Sequence, residues 1–195
     1  MKGLARKNIL EVKPYVAGKP IEETKRQLGL RQVIKLASNE NPLGPSPKAV
    51  AAVKKALAGI NRYPDSQGFY LKKRIARSIG VEPSNIILGN GSDELIDLTM
   101  RLFVIPGDAV VNLPPTFGMY SYNTSLCAAR LTAVPRRDDF SVDVEAVECA
   151  VGADARAKIM FVNSPNNPDG SLIGPADLKR LLALPLIVVL DEAYG

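Results

Sequence analysis

The sequence contains no histidine and no tryptophan among its 195 residues. Without histidine there is no Ser-His-Asp triad, no Cys-His dyad, no HExxH zinc chemistry and no imidazole general base. An enzyme built on this chain must move protons by other means. Cysteine is scarce as well. Cys127 and Cys149 form no CxxC pair and are too few for a zinc site without histidine, so no metal is expected. Both read as reduced thiols packed as small apolar groups. The opening MKGLARKNILEVKP has no apolar segment of the kind a secretory signal needs. The longest apolar stretch, residues 181–190, contains Pro185 and is far too short to span a bilayer. A reducing cytoplasm is the expected compartment. Excess charge is slight: the formal net charge is +5, which does not by itself point to nucleic acid. The basic cluster Lys72, Lys73, Arg74 and Arg77 has no stacking aromatics alternating with it and reads as a solvated helix face. Neither a nucleic-acid partner nor a membrane partner is expected.

What is present is ordinary globular composition. Hydrophobic residues make up 46% and charged residues 23%, which excludes general disorder and allows a sizeable core in one large domain or two small ones. Residues 1–45 are rich in Pro, Gly and Asn and read as an extended arm with a short helix near Glu22 to Gln27. Pro42, Pro45 and Pro47 around Gly44 favour turns. Ser46 then suits a helix N-cap and Pro47 its first position, with Val50, Val53 and Leu57 on one face and Gly59 as a stop. A second helix follows Gly68, with Leu71, Ile75 and Ile79 as its apolar face and Gly80 past its end.

From residue 85 strands and helices alternate. Strands are predicted at 85–88, 109–113, 131–134, 158–162 and 186–190. Helices are predicted at 92–104, 119–126, from about Asp143, and at 175–184. The runs Ile-Met-Phe-Val and Leu-Ile-Val-Val-Leu are continuously apolar, as in strands buried on both faces. The alternation predicts an α/β fold with a mostly parallel sheet flanked by helices.

In open α/β sheets ligands bind at the carboxyl ends of the strands. There, Gly89-Asn90-Gly91-Ser92-Asp93-Glu94 offers two glycines, Ser92 as a helix cap, and a helix N-terminus suited to a phosphate, provided Glu94 points elsewhere. Asn163-Ser164-Pro165-Asn166-Asn167-Pro168 offers a rigid amide donor, or simply an Asn-Pro turn. Asp191, after an apolar strand, is either a helix cap or a carboxylate in a low-dielectric crevice that wants a cationic partner. One crossover returns Asn167 and Asp191 to the same sheet edge. A ligand with a phosphate arm and a protonatable ring nitrogen would use all three, and pyridoxal 5′-phosphate (PLP) fits.

These segments, with Leu36-Ala37-Ser38-Asn39-Glu40-Asn41-Pro42, Arg62-Tyr63-Pro64-Asp65, Pro114-Pro115-Thr116-Phe117-Gly118-Met119-Tyr120 and Asp191-Glu192-Ala193-Tyr194, resemble in order the class I/II (fold-type I) PLP-dependent aminotransferases, and within them the histidinol-phosphate branch. The resemblance implies the large PLP-binding domain of that fold. Residues 1–45 would be the N-terminal arm and 46–195 an incomplete large domain, with the C-terminal small domain absent. It implies that Gly91, Ser92 and Asp93 hold the cofactor phosphate. Phe117 would stack on the pyridine ring, Asn167 and Tyr194 would reach its phenolic oxygen, and Asp191 would pair with its nitrogen. Tyr63 would reach the neighbour's cofactor in a homodimer, and Tyr15 and Asn39 would lie near the substrate.

The implied reaction is ping-pong transamination between histidinol phosphate and 2-oxoglutarate/glutamate. Threonine-phosphate decarboxylase, an aromatic amino-acid aminotransferase and a non-catalytic fragment are the alternatives. Asp169 stands where the family usually has threonine. The family's Schiff-base lysine follows the Asp-Glu-Ala-Tyr segment in a Ser-x-Ser-Lys stretch that this sequence does not contain. No catalytic residue is therefore assigned within it.

Overall fold

The computed structural model describes residues 3–14 and 18–195. The chain divides into two compact units, one combining the first residues with Gly89–Gly195 and the other spanning Val16–Leu88. No helix among the described residues is long and apolar enough to cross a membrane.

The first unit is a parallel sheet between two helical layers. Strands β1 (Ala109–Asn112), β2 (Arg130–Ala133), β3 (Ala157–Asn163) and β4 (Ile187–Asp191) lie in the order β2-β1-β3-β4, and every pair is parallel. Successive side chains along β3 point to opposite faces. Ile159 and Phe161 therefore join Val110 in a core under α5 (Gly91–Phe103) and α6 (Met119–Leu126), with Ile96, Met100 and Tyr120. Met160 and Val162 join Val111 on the other face, under α7 (Val144–Gly152) and α8 (Pro175–Leu182), with Val147, Val151 and Leu181. Burying each of these large side chains contributes about 1.5–3 kcal/mol. Both faces of β3 are covered, as its apolar run requires. The run in β4 is only half-buried, because β4 forms the sheet edge and no element covers it fully.

Local chemistry explains some boundaries. Asp143 caps α7, its Oδ1 accepting from the Ala146 N–H at 3.1 Å. The N-terminal arm is not wholly extended. It carries α1 (Lys7–Glu11), and Asn8 Nδ2 donates to the carbonyls of Ser125 (2.8 Å) and Leu126 (3.1 Å) at the end of α6. These carbonyls belong to the last turn of α6, so the arm caps α6 from outside, adding to the Ala128 N–H that already reaches the Ser125 carbonyl at 3.1 Å. Cys127 is half-buried, but Cys149 lies exposed on α7, so it is not packed as a core group.

At the amino end of the sheet, Asp108 leads into β1. Its Oδ2 accepts from the Ile105 N–H (3.0 Å) and its Oδ1 from Arg156 Nη2 (3.0 Å), just before β3. The Ile105 N–H, followed by Arg156, holds this carboxyl below its ordinary value against the opposing effect of burial. A carboxylate lowered in the folded state stabilises above its unfolded value, near pH 4, and that contribution is lost as pH falls through the folded value. Asp108→Asn should therefore flatten the acid limb of the stability curve below about pH 4. Thermal midpoints of the two proteins measured against pH check this, and parallel acid limbs would count against it.

The second unit holds α2 (Ile21–Leu28), α3 (Pro47–Ala56) with a 3-10 turn at Leu57–Gly59, and α4 (Phe69–Ile79) packed against a 3-10 turn at Pro83–Asn85. Gly80 ends α4 in the left-handed region (φ 73°), its N–H bonded to the Ala76 carbonyl, a conformation that costs glycine least. One expectation fails here. Residues 85–88 form no strand: Ile86 is extended, but it pairs with no strand among the described residues, and extended backbone without a ladder is not a sheet. The helix α4 with Gly80 past its end is found as expected, but its apolar stripe is largely uncovered. Leu71 is 54% and Ile79 62% exposed, while Ala76 is buried. Periodicity shows where apolar groups point, not whether a neighbour covers them.

Candidate functional site

The carboxyl ends of β1, β3 and β4 carry three loops that polar side chains tie together. The hub is Asn163, the last residue of β3 and 2% exposed. Its Oδ1 accepts from the Asn167 N–H (2.7 Å) and its Nδ2 donates to the Asp191 carbonyl (3.0 Å). The Ser164 N–H donates to the same carbonyl at 2.9 Å. These bonds bring Asn167 and Asp191 to one edge, as the single crossover predicts. Asn166, also buried, bridges to the loop after β1. It donates to the Pro115 carbonyl (3.0 Å) and accepts from Thr116 Oγ1 (2.9 Å).

Arg136 completes the platform. Its buried guanidinium donates to the carbonyls of Leu113 (3.3 Å), Phe140 (3.0 Å) and Asn163 (3.4 Å) and to Ser171 Oγ (3.2 Å). Burial lowers its affinity for the proton, and the nearby Asp169 partly restores it. Asp169 itself accepts from the Ser171 N–H (2.8 Å) and from Asn166 Nδ2. Burial pushes its carboxyl up, but the bonds from Ser171 and Asn166 and the charge of Arg136 more than offset this, leaving it lowered. The aspartate at this position thus serves both as turn anchor and as countercharge.

Asp191 closes β4. Its Oδ2 accepts from the Tyr120 hydroxyl at 2.7 Å and its Oδ1 from the Ala193 N–H at 3.1 Å. Among the described residues no lysine or arginine forms an ion pair with it. Neutral donors hold the carboxylate, and each oxygen keeps a lone pair for a further donor. Asp191 also lines a cavity of about 280 Å³ with Ser92, Leu95, Thr99, Val189 and Ala193. Ser92, in the first turn of α5, is part of that lining.

The start of α5 differs in detail from the expected cap. Asn90 occupies the cap position, and Ser92 lies inside the first turn because Gly91 (φ 78°) makes the turn into the helix one residue earlier. Glu94 folds back, its Oε2 accepting from the Asn90 backbone N–H and from Asn90 Nδ2 (3.0 Å). Its charge is therefore engaged by the loop, and the first N–H groups of the helix remain the natural place for an anion.

Of the other expected residues, Phe117 is half-buried and meets Tyr120 edge-on, centroids 5.7 Å apart. Asn167 Nδ2 makes a long 3.5 Å contact with Tyr194 Oη. Gly91, Ser92, Asp93, Phe117, Asn167, Asp191 and Tyr194 all belong to the first unit. Tyr63 and Asn39 belong to the second, where Tyr63 is fully exposed and Asn39 has a positive φ of 50°. Tyr15 lies outside the described residues. Arg136 was not named from the sequence, and Tyr120, Asn163 and Asn166 were named only within their segments, with no individual role. Asn163 could have been given one, since it is the first polar residue after the apolar run 159–162.

The family model for aminotransferase class I and II matches residues 31–195. The chain is 46% identical over 193 residues to a histidinol-phosphate aminotransferase of Moorella thermoacetica, covering 97% of this chain and 49% of the relative. It is 46% identical over 203 residues to that of Roseiflexus castenholzii, covering 99% of this chain and 53% of the relative. The chain thus spans about half the length of these curated relatives. Among solved structures, histidinol-phosphate aminotransferase from Sinorhizobium meliloti in complex with pyridoxal 5′-phosphate superposes with a TM-score of 0.86 at 31% identity, covering 98% of this chain and 51% of that one.

Proposed function

Since the chain belongs to the class I and II aminotransferase family, we propose that it forms the coenzyme-binding part of a PLP-dependent aminotransferase that exchanges the amino group of histidinol phosphate with 2-oxoglutarate and glutamate. The observation that carries this reading is the Asp191 carboxylate. Asp191 sits at a strand end, is bonded only by neutral donors among the described residues, and lines the same cavity as Ser92 at the start of α5. A carboxylate so placed suits a protonated ring nitrogen, and a helix N-terminus beside it suits a phosphate.

In this reading Gly91, Ser92 and Asp93 hold the phosphate, chiefly through backbone N–H groups at the positive end of α5. Its bonds to Asn90 turn the Glu94 carboxylate back onto the loop. Phe117 faces the pyridine ring, Asp191 keeps the ring nitrogen protonated, and Asn167 and Tyr194 bond the phenolic oxygen. The bound coenzyme supplies an electron sink for the substrate's α-carbon. The apolar wall of Leu95 and Val189 lowers the local dielectric and so strengthens the pull of Asp191 on the nitrogen's proton. Tyr63, exposed in its own unit, serves the coenzyme site of a second copy in a homodimer. The substrate-binding role is assigned to Tyr15 and Asn39. No residue among 1–195 is given the Schiff-base role.

The choice of substrate follows the names of the most similar relatives. It is tested by expressing the complete reading frame that contains this sequence and assaying histidinol phosphate, threonine phosphate and phenylalanine in turn, each with 2-oxoglutarate. The expected result is efficient amino transfer from histidinol phosphate only. Turnover of another donor with none of histidinol phosphate would overturn the substrate assignment and leave the family intact.

A further inference from the structure

Tyr120 is fully buried at 0% exposure, yet the reaction outlined above gives it no task. Its ring is clamped: it stacks on Phe161 with centroids 4.6 Å apart and planes 5° from parallel, and it meets Phe117 edge-on at 88°. Its hydroxyl leaves the apolar layer at one point, where it donates to Asp191 Oδ2 at 2.7 Å, an ordinary O–H···O distance. Burial, and then the bond to Asp191, raise the phenol well above its usual value, so the hydroxyl keeps its proton and the direction of the bond is fixed.

We propose that Tyr120 is a positioning residue for the ring-nitrogen site: its clamped hydroxyl fixes the Asp191 carboxylate in the one orientation that meets a protonated ring nitrogen. This rests on the reading of Asp191 given above. The Asp191 carbonyl is already pinned by the Ser164 N–H and Asn163 Nδ2, and Oδ1 by the Ala193 N–H. The Tyr120 bond removes the remaining freedom of the carboxylate plane. Because Phe117 leans on the same ring, Tyr120 also sets the acid and the candidate stacking aromatic in register with each other. A carboxylate held in place before the ligand arrives loses little side-chain freedom on binding.

The test compares PLP with its analogue in which the ring nitrogen is replaced by carbon, bound to the product of the complete reading frame. The wild type should bind PLP more tightly than the carbon analogue, and Asp191→Asn should abolish that preference. Tyr120→Phe, which keeps the ring, should reduce the preference roughly tenfold, the worth of one hydrogen bond to a charged group. Tyr120→Leu is the second variant should the phenylalanine protein not fold. If the preference survives in Tyr120→Phe, or both ligands weaken equally, Tyr120 is a core residue only and this inference falls alone. If the wild type shows no preference, or Asp191→Asn leaves it intact, the reading of Asp191 itself fails and this inference falls with it.

Discussion

Asp191→Asn in the product of the complete reading frame should lower kcat/KM by about thirtyfold or more, the rate equivalent of the 2–5 kcal/mol typical for loss of one partner in a buried charge pair. The substitution is nearly isosteric, and an asparagine carbonyl can still accept from the Tyr120 hydroxyl at the cost of the bond from the Ala193 N–H, so most of the platform should stand. What changes is the group left facing the ring nitrogen. An amide N–H there meets an N–H, donor against donor, and the nitrogen loses its proton. The loss should fall mainly on kcat, because phosphate contacts at the start of α5 are untouched and the coenzyme should still bind, though more weakly. Steady-state kinetics at saturating coenzyme, with coenzyme affinity measured separately, separate the two. A variant that keeps wild-type kcat would mean Asp191 is structural.

The second large effect is on stability. Phe161 is 1% exposed at the centre of β3, and Tyr120 lies flat against it. Phe161→Ala should cost about 3–5 kcal/mol, combining lost transfer energy with a cavity that a close-packed layer between α6 and the sheet fills poorly. That is a large fraction of the roughly 5–15 kcal/mol by which a domain is stable. Chemical denaturation should show an earlier midpoint, and Phe161→Leu should fall between the two proteins. A cost below about 1 kcal/mol would show that the site collapses to fill the space. The stacked face of Tyr120 loses its support in the same variant, so coenzyme binding should weaken too.

Much of the fold was legible because local chemistry and packing agree. The helix at Met119–Leu126 falls on its predicted residues, and the strands ending at Asn112, Asn163 and Asp191 follow from apolar runs buried in a sheet. The parallel α/β architecture follows from their alternation with helices. Where the reading failed, the missing information was non-local. Residues 85–88 look like a strand, but a strand exists only with a partner. Leu71 and Ile79 mark the apolar side of α4 without saying what covers it. Ser92 has the right chemistry for a cap, but the backbone of Gly91 moved the helix start. In the site, Asp191 and Asn167 were visible because strand-end polar residues are few. Tyr120 was hidden inside an aromatic segment that reads as core, since nothing in its neighbours reveals that its hydroxyl meets a carboxylate 71 positions further along.

The strand order β2-β1-β3-β4 has a consequence for how the site opens. The chain runs outward from β1 to β2, then returns past β1 to β3. The loops after β1 and β3 therefore leave toward opposite faces of the sheet, one into α6 and the other toward α8, and a cleft is forced between them. Two side chains span the cleft: Asn166 reaches from the β3 side to Pro115 and Thr116 on the β1 side, and Arg136 bonds the Leu113 and Asn163 carbonyls at the two strand ends. Sheet topology creates the opening, and two polar side chains tie its sides together.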